Sequence, residues 1–331
     1  MSEPLPSWRD PGVPVPIAAE MAQLRLALDD NIPPKRTAGR NLLIGTWNIK
    51  AFASLTRKWT ASPDDSPKRD HRALWAITEI VSRFDVVAIQ EMKGDLRALR
   101  TMMKTLGADW KFLMTDVTRG DAGNNERMGF VFDSTRVNLS GLAGEVVLPE
   151  EELKSVKPDA MKRQFARTPY AVSFLAGSET FVMVTLHVDY GTSAAGRIPE
   201  LKAIAAWLDD WAQQADDFGQ NLIALGDFNI DRRDDPLWKA FTSSGLTVPA
   251  ELQGAKRSIF AKDNDPNLEK YYDQIAWFTS GARRKLNMAY VTAGFFDFVP
   301  FIYTETGFTK QTLQHRLSDH YPLWAEFNCR D

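Results

Sequence analysis

The sequence predicts an α/β fold containing parallel strands, and three observations carry the prediction. Short continuous apolar runs, such as Leu222–Leu225, have the length of strands buried on both faces. Segments with apolar residues at helical spacing lie between such runs. Leu74, Ile77, Val81 and Phe84 precede the run Asp85–Gln90, the order that a helical crossover between parallel strands requires. Several runs also end in an amide, carboxylate or imidazole, and in α/β sheets the carboxyl ends of strands face the ligand crevice.

Composition bounds the reading. The 331 residues, 44% of them hydrophobic, can bury a substantial core, and no composition shift divides residues 41–331. Forty Lys and Arg balance 43 Asp and Glu, so an anionic partner must be held locally rather than by a field of the whole molecule. The one cysteine, Cys329, excludes an internal disulfide and fits a reducing compartment. No stretch of about 18 apolar residues and no basic leader followed by an apolar run occurs, so a cytoplasmic protein without a membrane segment is expected.

In chain order, residues 1–40 read as a Pro-rich arm with a short helix over Ile17–Leu28, its Met21, Leu24 and Leu28 on one face. The domain over residues 41–331 opens with the strand Leu42–Asn48. A polar loop at residues 53–70 follows, then a helix over His71–Phe84 and the strand Asp85–Gln90, which ends on Glu91. Leu96, Leu99, Met103 and Leu106 mark the next helix, Trp110–Met114 the next strand. A glycine-broken loop, Arg119–Asn125, leads to Glu126-Arg127 and the strand Met128–Phe132. Residues 144–168 look irregular and carry Lys157, Lys162, Arg163 and Arg167. Tyr170–Leu175 and Phe181–Leu186 predict a hairpin that delivers His187. A helix over Arg197–Trp211 leads to the run ending in Leu225, where Gly226 marks an expected turn that presents Asp227, Asn229 and Asp231. Strands at Tyr271–Phe278, Met288–Thr292 and Tyr321–Phe327 complete the domain, the last preceded by Ser318-Asp319-His320.

Each polar residue has an ordinary structural reading when taken alone. Asp227 and Asn229 suit an Asx turn, Asp273 a strand-edge carboxylate, His187 a satisfied core imidazole. Together, Asn48, Glu91, His187, Asp227, Asn229, Asp319 and His320 form one chemical set of hard oxygen ligands with two imidazoles. Such oxygens select Mg²⁺, Mn²⁺ or Ca²⁺, and imidazoles, with an unperturbed pKa of about 6.5, suit proton transfer. Cleavage of a phosphoester needs that combination, a cation against the phosphate charge and a base for water.

GTWNIK, IQEMKGD, TLHVDYG, GDFNID, YYDQI and LSDHYPL, in this order, resemble the successive motifs of the endonuclease/exonuclease/phosphatase superfamily over residues 41–328. Glu126-Arg127, Arg167-Thr168-Pro169 and Phe296-Asp297-Phe298 make the chain most similar to deoxyribonuclease I-like nucleases. The resemblance implies a four-layered α/β sandwich, two central mixed sheets face to face with helices outside. It further implies Glu91 as the leading ligand of Mg²⁺, with Asn48 and Asp319 beside it. Asp227 and Asn229 would orient water and phosphate. His187 and His320 would act as acid and base, with Glu126 and Asp273 fixing their tautomers. Of the family's phosphate-contacting basic residues, Lys93, Arg127 and Arg167 are matched, and Arg119 in the glycine-broken loop is expected to join them in binding substrate.

A nuclease hydrolysing DNA, with internal cutting favoured, is the expected function and nucleic acid the expected partner. A phosphatase or phosphodiesterase for a lipid or small phosphoester is the alternative, although Tyr272-Asp273-Gln274 lacks the Trp-Cys-Asp-Arg signature of inositol-polyphosphate phosphatases. A non-catalytic binding module of the same fold is the third. The chain departs from the secreted nucleases of the family in lacking disulfides and in carrying the arm. Oligomeric state is not encoded in these motifs.

Overall fold

The computed structural model describes residue 5 and residues 12–118, 124–146, 167–213, 221–261, 270–280, 286–305 and 307–329. Two six-stranded sheets organise them. Sheet 1 is ordered β11 (Ala289–Phe295), β12 (Leu323–Asn328), β1 (Asn41–Phe52), β2 (Val86–Met92), β4 (Arg127–Asp133) and β3 (Trp110–Met114). Sheet 2 is ordered β5 (Asn138–Glu145), β6 (Tyr170–Ala176), β7 (Glu179–His187), β8 (Leu222–Ile230), β10 (Tyr271–Phe278) and β9 (Leu246–Thr247).

Each sheet has one parallel pair, β1 with β2 and β7 with β8, among antiparallel neighbours. The two parallel crossovers run through α2 (His71–Val81) and α4 (Ala194–Gln213), as a parallel pair demands. Asp70 caps α2 by accepting the Ala73 amide at 2.9 Å.

The period of two along a strand sorts the core into layers. Leu42, Ile44, Val86, Ala88, Phe130 and Phe132 face the sandwich interior, against Val172, Phe174, Val182 and Val184 of sheet 2. Their alternates Leu43, Val87, Ile89 and Val131 face outward, under α1 (Val15–Asn31), α2 and α3 (Arg97–Leu106). On the far side, Leu201, Ile204, Ala205 and Leu208 of α4 cover sheet 2. Helix, sheet, sheet, helix is the four-layered arrangement that the motifs imply.

The amphipathic segment near the N-terminus packs: Met21, Leu24 and Leu28 are fully buried in the outer cluster. Arg72 of α2 ties it down through ion pairs to Glu20 and, at 2.5 Å, to Glu305.

Three strands are longer than the apolar pattern predicts. β1 continues past Asn48 to Phe52, β2 passes through Glu91, and β8 runs through Gly226 to Ile230 instead of turning there. Gly226 has φ +133°, and a Cβ on it would lie 2.1 Å from the Leu186 carbonyl oxygen. The glycine thus lets β8 continue tight against β7. β5 is absent from the sequence reading because its residues alternate between exposed and half-buried at a sheet edge, leaving no apolar run to detect.

Candidate active site

The strand register alone assembles half of the site. In sheet 2, His187 of β7 pairs with Asp227 of β8, and Asp227 pairs on its other side with Asp273 of β10. Three of the expected site residues therefore sit abreast. Sheet 1 meets them across the sandwich, where Asn48 of β1 donates from Nδ2 to Asp227 Oδ2 at 3.0 Å.

Both imidazoles converge on that same oxygen. His187 Nε2 lies 3.6 Å from Asp227 Oδ2 and His320 Nε2 lies 4.0 Å from it. Each ring has a carboxylate behind it, hydrogen-bonded to His320 and at close approach to His187. His320 Nδ1 donates to Asp273 Oδ2 at 2.6 Å, and His187 Nδ1 stands 3.2 Å from Glu126 Oε2. The hydrogen bond to Asp273 fixes the His320 ring and turns its Nε2 toward the site, and Glu126 is placed to do the same for His187.

Electrostatics follow from burial and pairing. Burial pulls the His320 imidazole down, but Asp273, Asp227 and Asp319 outweigh it and lift it to about 10. Burial lifts Asp273 to about 6 against the pull of His320. For Glu126 burial acts upward, yet His187, Arg167 and Lys93 bring it down to about 2. Around that carboxylate, Lys93 Nζ is 2.8 Å from Oε1 and Arg167 Nε is 2.7 Å from Oε2. Arg127 donates to the Lys93 carbonyl at 3.2 Å.

Asp227 Oδ1 accepts the Asn229 amide at 2.9 Å, and Asn229 Nδ2 donates to the Val188 carbonyl at 2.6 Å. Asn229 adopts φ +50° to do so. Glu91 also has positive φ, +62°, and its Oε2 accepts the Ala51 amide at 2.9 Å, which places it at the bulge where β1 and β2 slip register. Asp319 Oδ2 pairs with Lys50 Nζ at 2.9 Å; burial acts upward on this carboxyl, but His320 and Lys50 hold it below the usual range. Arg119, Lys157, Lys162 and Arg163 lie outside the described residues.

Two groups escape the sequence reading. Ser318 Oγ donates to the Asn48 carbonyl at 2.6 Å and accepts the amides of Lys50 and His320 at 3.3 and 3.0 Å. Arg69, fully buried, donates to the carbonyls of Lys50, Ala51, Arg316 and Leu317. These two residues weld the end of β1, which carries Asn48, to the loop that carries Asp319 and His320. Ser318 stands inside LSDHYPL, where its neighbours draw the attention; Arg69 had no signal, because its partners are backbone carbonyls.

The donors suit a hard cation. Asn48 Oδ1 is buried and has no hydrogen-bond partner among the described residues, an acceptor left for a ligand. Arg167 Nη1 is likewise buried and unpartnered among them, a donor suited to a phosphate oxygen. Asp227, Asp273 and His320 also bring ligand atoms within 4.8 Å of one another and could hold a metal ion. There, however, a cation on Asp273 Oδ2 and His320 Nδ1 would have to displace the proton they share at 2.6 Å.

Two face-to-face mixed sheets whose strands carry carboxylate, amide and imidazole into one pocket define the architecture of the α/β-sandwich phosphoesterases. Residues 45–320 match the Endonuclease/Exonuclease/phosphatase family, and the chain belongs to it. A deoxyribonuclease of Thioalkalivibrio sp. (strain K90mix) is 24% identical over 294 residues, covering 87% of this chain and 71% of that one. Among solved structures, the mannosyl-6-phosphatase of Bacteroides thetaiotaomicron VPI-5482 shares the fold with TM-score 0.57 and 16% identity, over 86% of this chain and 99% of that one. TDP2 of D. rerio, solved with a single-strand DNA product, does so with TM-score 0.55 and 14% identity, over 87% and 99%. No helix among the described residues is long and apolar enough to cross a membrane.

Proposed function

We propose that the protein is a Mg²⁺-dependent nuclease that hydrolyses phosphodiester bonds of DNA, cutting within strands, in a reducing compartment such as the cytoplasm. The observation that carries this reading is the convergence of His187 Nε2 and His320 Nε2 on Asp227 Oδ2, each ring backed by its own carboxylate. Two oriented imidazoles are what hydrolysis of a diester uses. One takes the proton of the water whose oxygen forms the new bond to phosphorus, and the other gives a proton to the oxygen whose bond to phosphorus breaks. Asp227 and Asn229 orient the water and the phosphate between them.

Glu91, Asn48 and Asp319 would hold the cation. Bound there, it supplies positive charge against the phosphoryl oxygens. Lys93 and Arg167, paired with Glu126, and the adjacent Arg127 would contact the backbone phosphates, and Lys50 and Arg119 are proposed to join them. The relative named deoxyribonuclease supports DNA as the substrate.

The test is incubation of the purified protein with plasmid and with end-labelled linear strands, with Mg²⁺, with Mn²⁺ and with EDTA. Metal-dependent nicking of closed plasmid is expected, inhibited by salt in the manner of phosphate-directed binding. Ladders from the labelled end alone would replace internal with terminal cutting. Turnover of sugar or lipid phosphoesters with nucleic acid left intact would overturn the reading.

A further inference from the structure

Two tyrosines stand next to the catalytic strands and have no part in the chemistry above. Tyr272 immediately precedes Asp273, and Tyr190 comes three residues after His187. The Tyr272 ring lies 5.6 Å from the His320 ring at 31°, and the Tyr190 ring meets Tyr272 edge-on at 6.3 Å and 79°. Aromatic surface therefore runs outward from His320 and ends at Tyr190, which is 51% exposed.

That exposed ring is held in place. The guanidinium of buried Arg197 lies 4.5 Å from its centroid, and Arg197 Nη1 donates to the Tyr190 carbonyl at 3.1 Å. Arg197 is anchored by Asp231, which also takes Lys270 Nζ at 3.1 Å; Lys270 in turn sits 5.6 Å from the Tyr272 centroid. One carboxylate thus secures two cations, each set against one tyrosine. A ring fixed before binding loses little freedom when something stacks on it.

The surface is small. Among the described residues, the other exposed large hydrophobics are Val15 and Leu26 on α1, Phe112 on β3, Leu139 on β5 and Val291 on β11. Tyr190 alone leaves the segment that carries His187, too little apolar area for a protein interface and enough for one flat ring.

We infer that Tyr190 is a stacking platform for an unpaired nucleobase next to the phosphate held at Asp227. The inference rests on the nucleic-acid reading above and names the part of the substrate gripped beside the scissile bond. Stacking on an aromatic side chain is indifferent to base identity, because every base presents a π-face.

Two readouts on the full chain test it. The first omits metal: a single-stranded oligonucleotide containing 2-aminopurine is titrated with the protein in EDTA. Fluorescence of the base should change on binding to the wild type, lose that change with Tyr190→Leu, and regain it with Tyr190→Phe. An identical response from all three proteins overturns the platform. The second compares kcat/KM for a base-bearing strand with that for an all-abasic strand of equal length. Tyr190→Leu should shrink the wild-type preference roughly 5- to 100-fold, the range that one stacked base supplies. Equal losses on both strands overturn it. If the wild type cuts neither strand, the nuclease reading fails, and the metal-free titration still decides the platform.

Discussion

Asn48 and Asp227 belong to different sheets, and the 3.0 Å hydrogen bond from Asn48 Nδ2 to Asp227 Oδ2 joins them inside the sandwich. The bond orients both groups at once. It spends an Asn48 donor on the carboxylate and leaves the buried Oδ1 without a partner among the described residues, and it sets the carboxylate oxygen that both imidazoles approach. Sheet packing and site geometry are therefore one constraint, and substitutions at this seam should register in activity before they register in folding.

His320→Ala should lower kcat by about 10²–10⁴-fold, the usual contribution of a positioned acid or base. Asp273→Asn should lower it too, with a change in shape. In the wild type the rate should fall as pH drops through about 6, where Asp273 takes up a proton and no longer orients His320. The asparagine variant should lack that limb. A pH–rate profile of both proteins checks this, and an unchanged acidic limb in the variant would remove Asp273 from the titration.

Glu91→Gln keeps an oxygen for the Ala51 amide and removes the negative charge. Cleavage should fall to background at the Mg²⁺ concentration that saturates the wild type, because such a site relies on one or two carboxylates, while the thermal midpoint without metal stays close to that of the wild type. Full activity at the same metal concentration would take Glu91 out of the cation site.

Acid stability should depend on Glu126. Its carboxyl is depressed in the folded state from 4.5 to about 2, so the stabilisation is fully present above about 4.5 and is lost as pH falls through about 2. Glu126→Gln strands Arg167 and Lys93 without their counter-charge, and removing one partner from a buried charged cluster typically costs about 3–5 kcal/mol. Urea unfolding at a series of pH values should show the gap between variant and wild type wide at pH 7 and narrowing toward pH 2. A constant gap would mean that Glu126 acts through packing alone.

Gly226→Ala should be among the most damaging single-methyl changes in the chain. The new Cβ would press on the Leu186 carbonyl oxygen at 2.1 Å in a backbone region that L-residues avoid. A loss on the order of 3 kcal/mol is expected, within the upper range for single substitutions. Thermal or urea denaturation measures it, and a wild-type midpoint would show that β8 can part from β7 without penalty.

Much of this was legible in the sequence, and the reasons are particular. Apolar runs and helical spacing located β1, α2, β2, α3, β7 and β8, because each buries a face or both. The polar residues Asn48, His187, Asp227, Asp273 and His320 stood at or beside those runs, so the strand order alone could bring them together. Backbone conformation was not legible: Gly226 looked like a turn because residue type gives permission for an unusual φ without saying which one is used. β5 was hidden by its exposed edge position. Ser318 and Arg69 were hidden because their partners are main-chain atoms, identical at every position of a sequence. Tyr190, inside TLHVDYG, carries no signal of its own in the sequence, since an exposed aromatic acquires meaning only from the rings around it.

The pairing of β1 with β12 has a consequence during synthesis. Residue 44 of the emerging polypeptide must wait for residue 325 before its open side is filled, and Asn48 must wait as long for Ser318. The sheet 2 half of the pocket, with His187, Asp227 and Asp273 abreast, needs no residue beyond 273, whereas the Asn48 half and His320 come only with the end of the first sheet. A chain still leaving the ribosome, with its first sheet unfinished, thus carries one half of the pocket without the other, and the two are joined only when β12 pairs with β1.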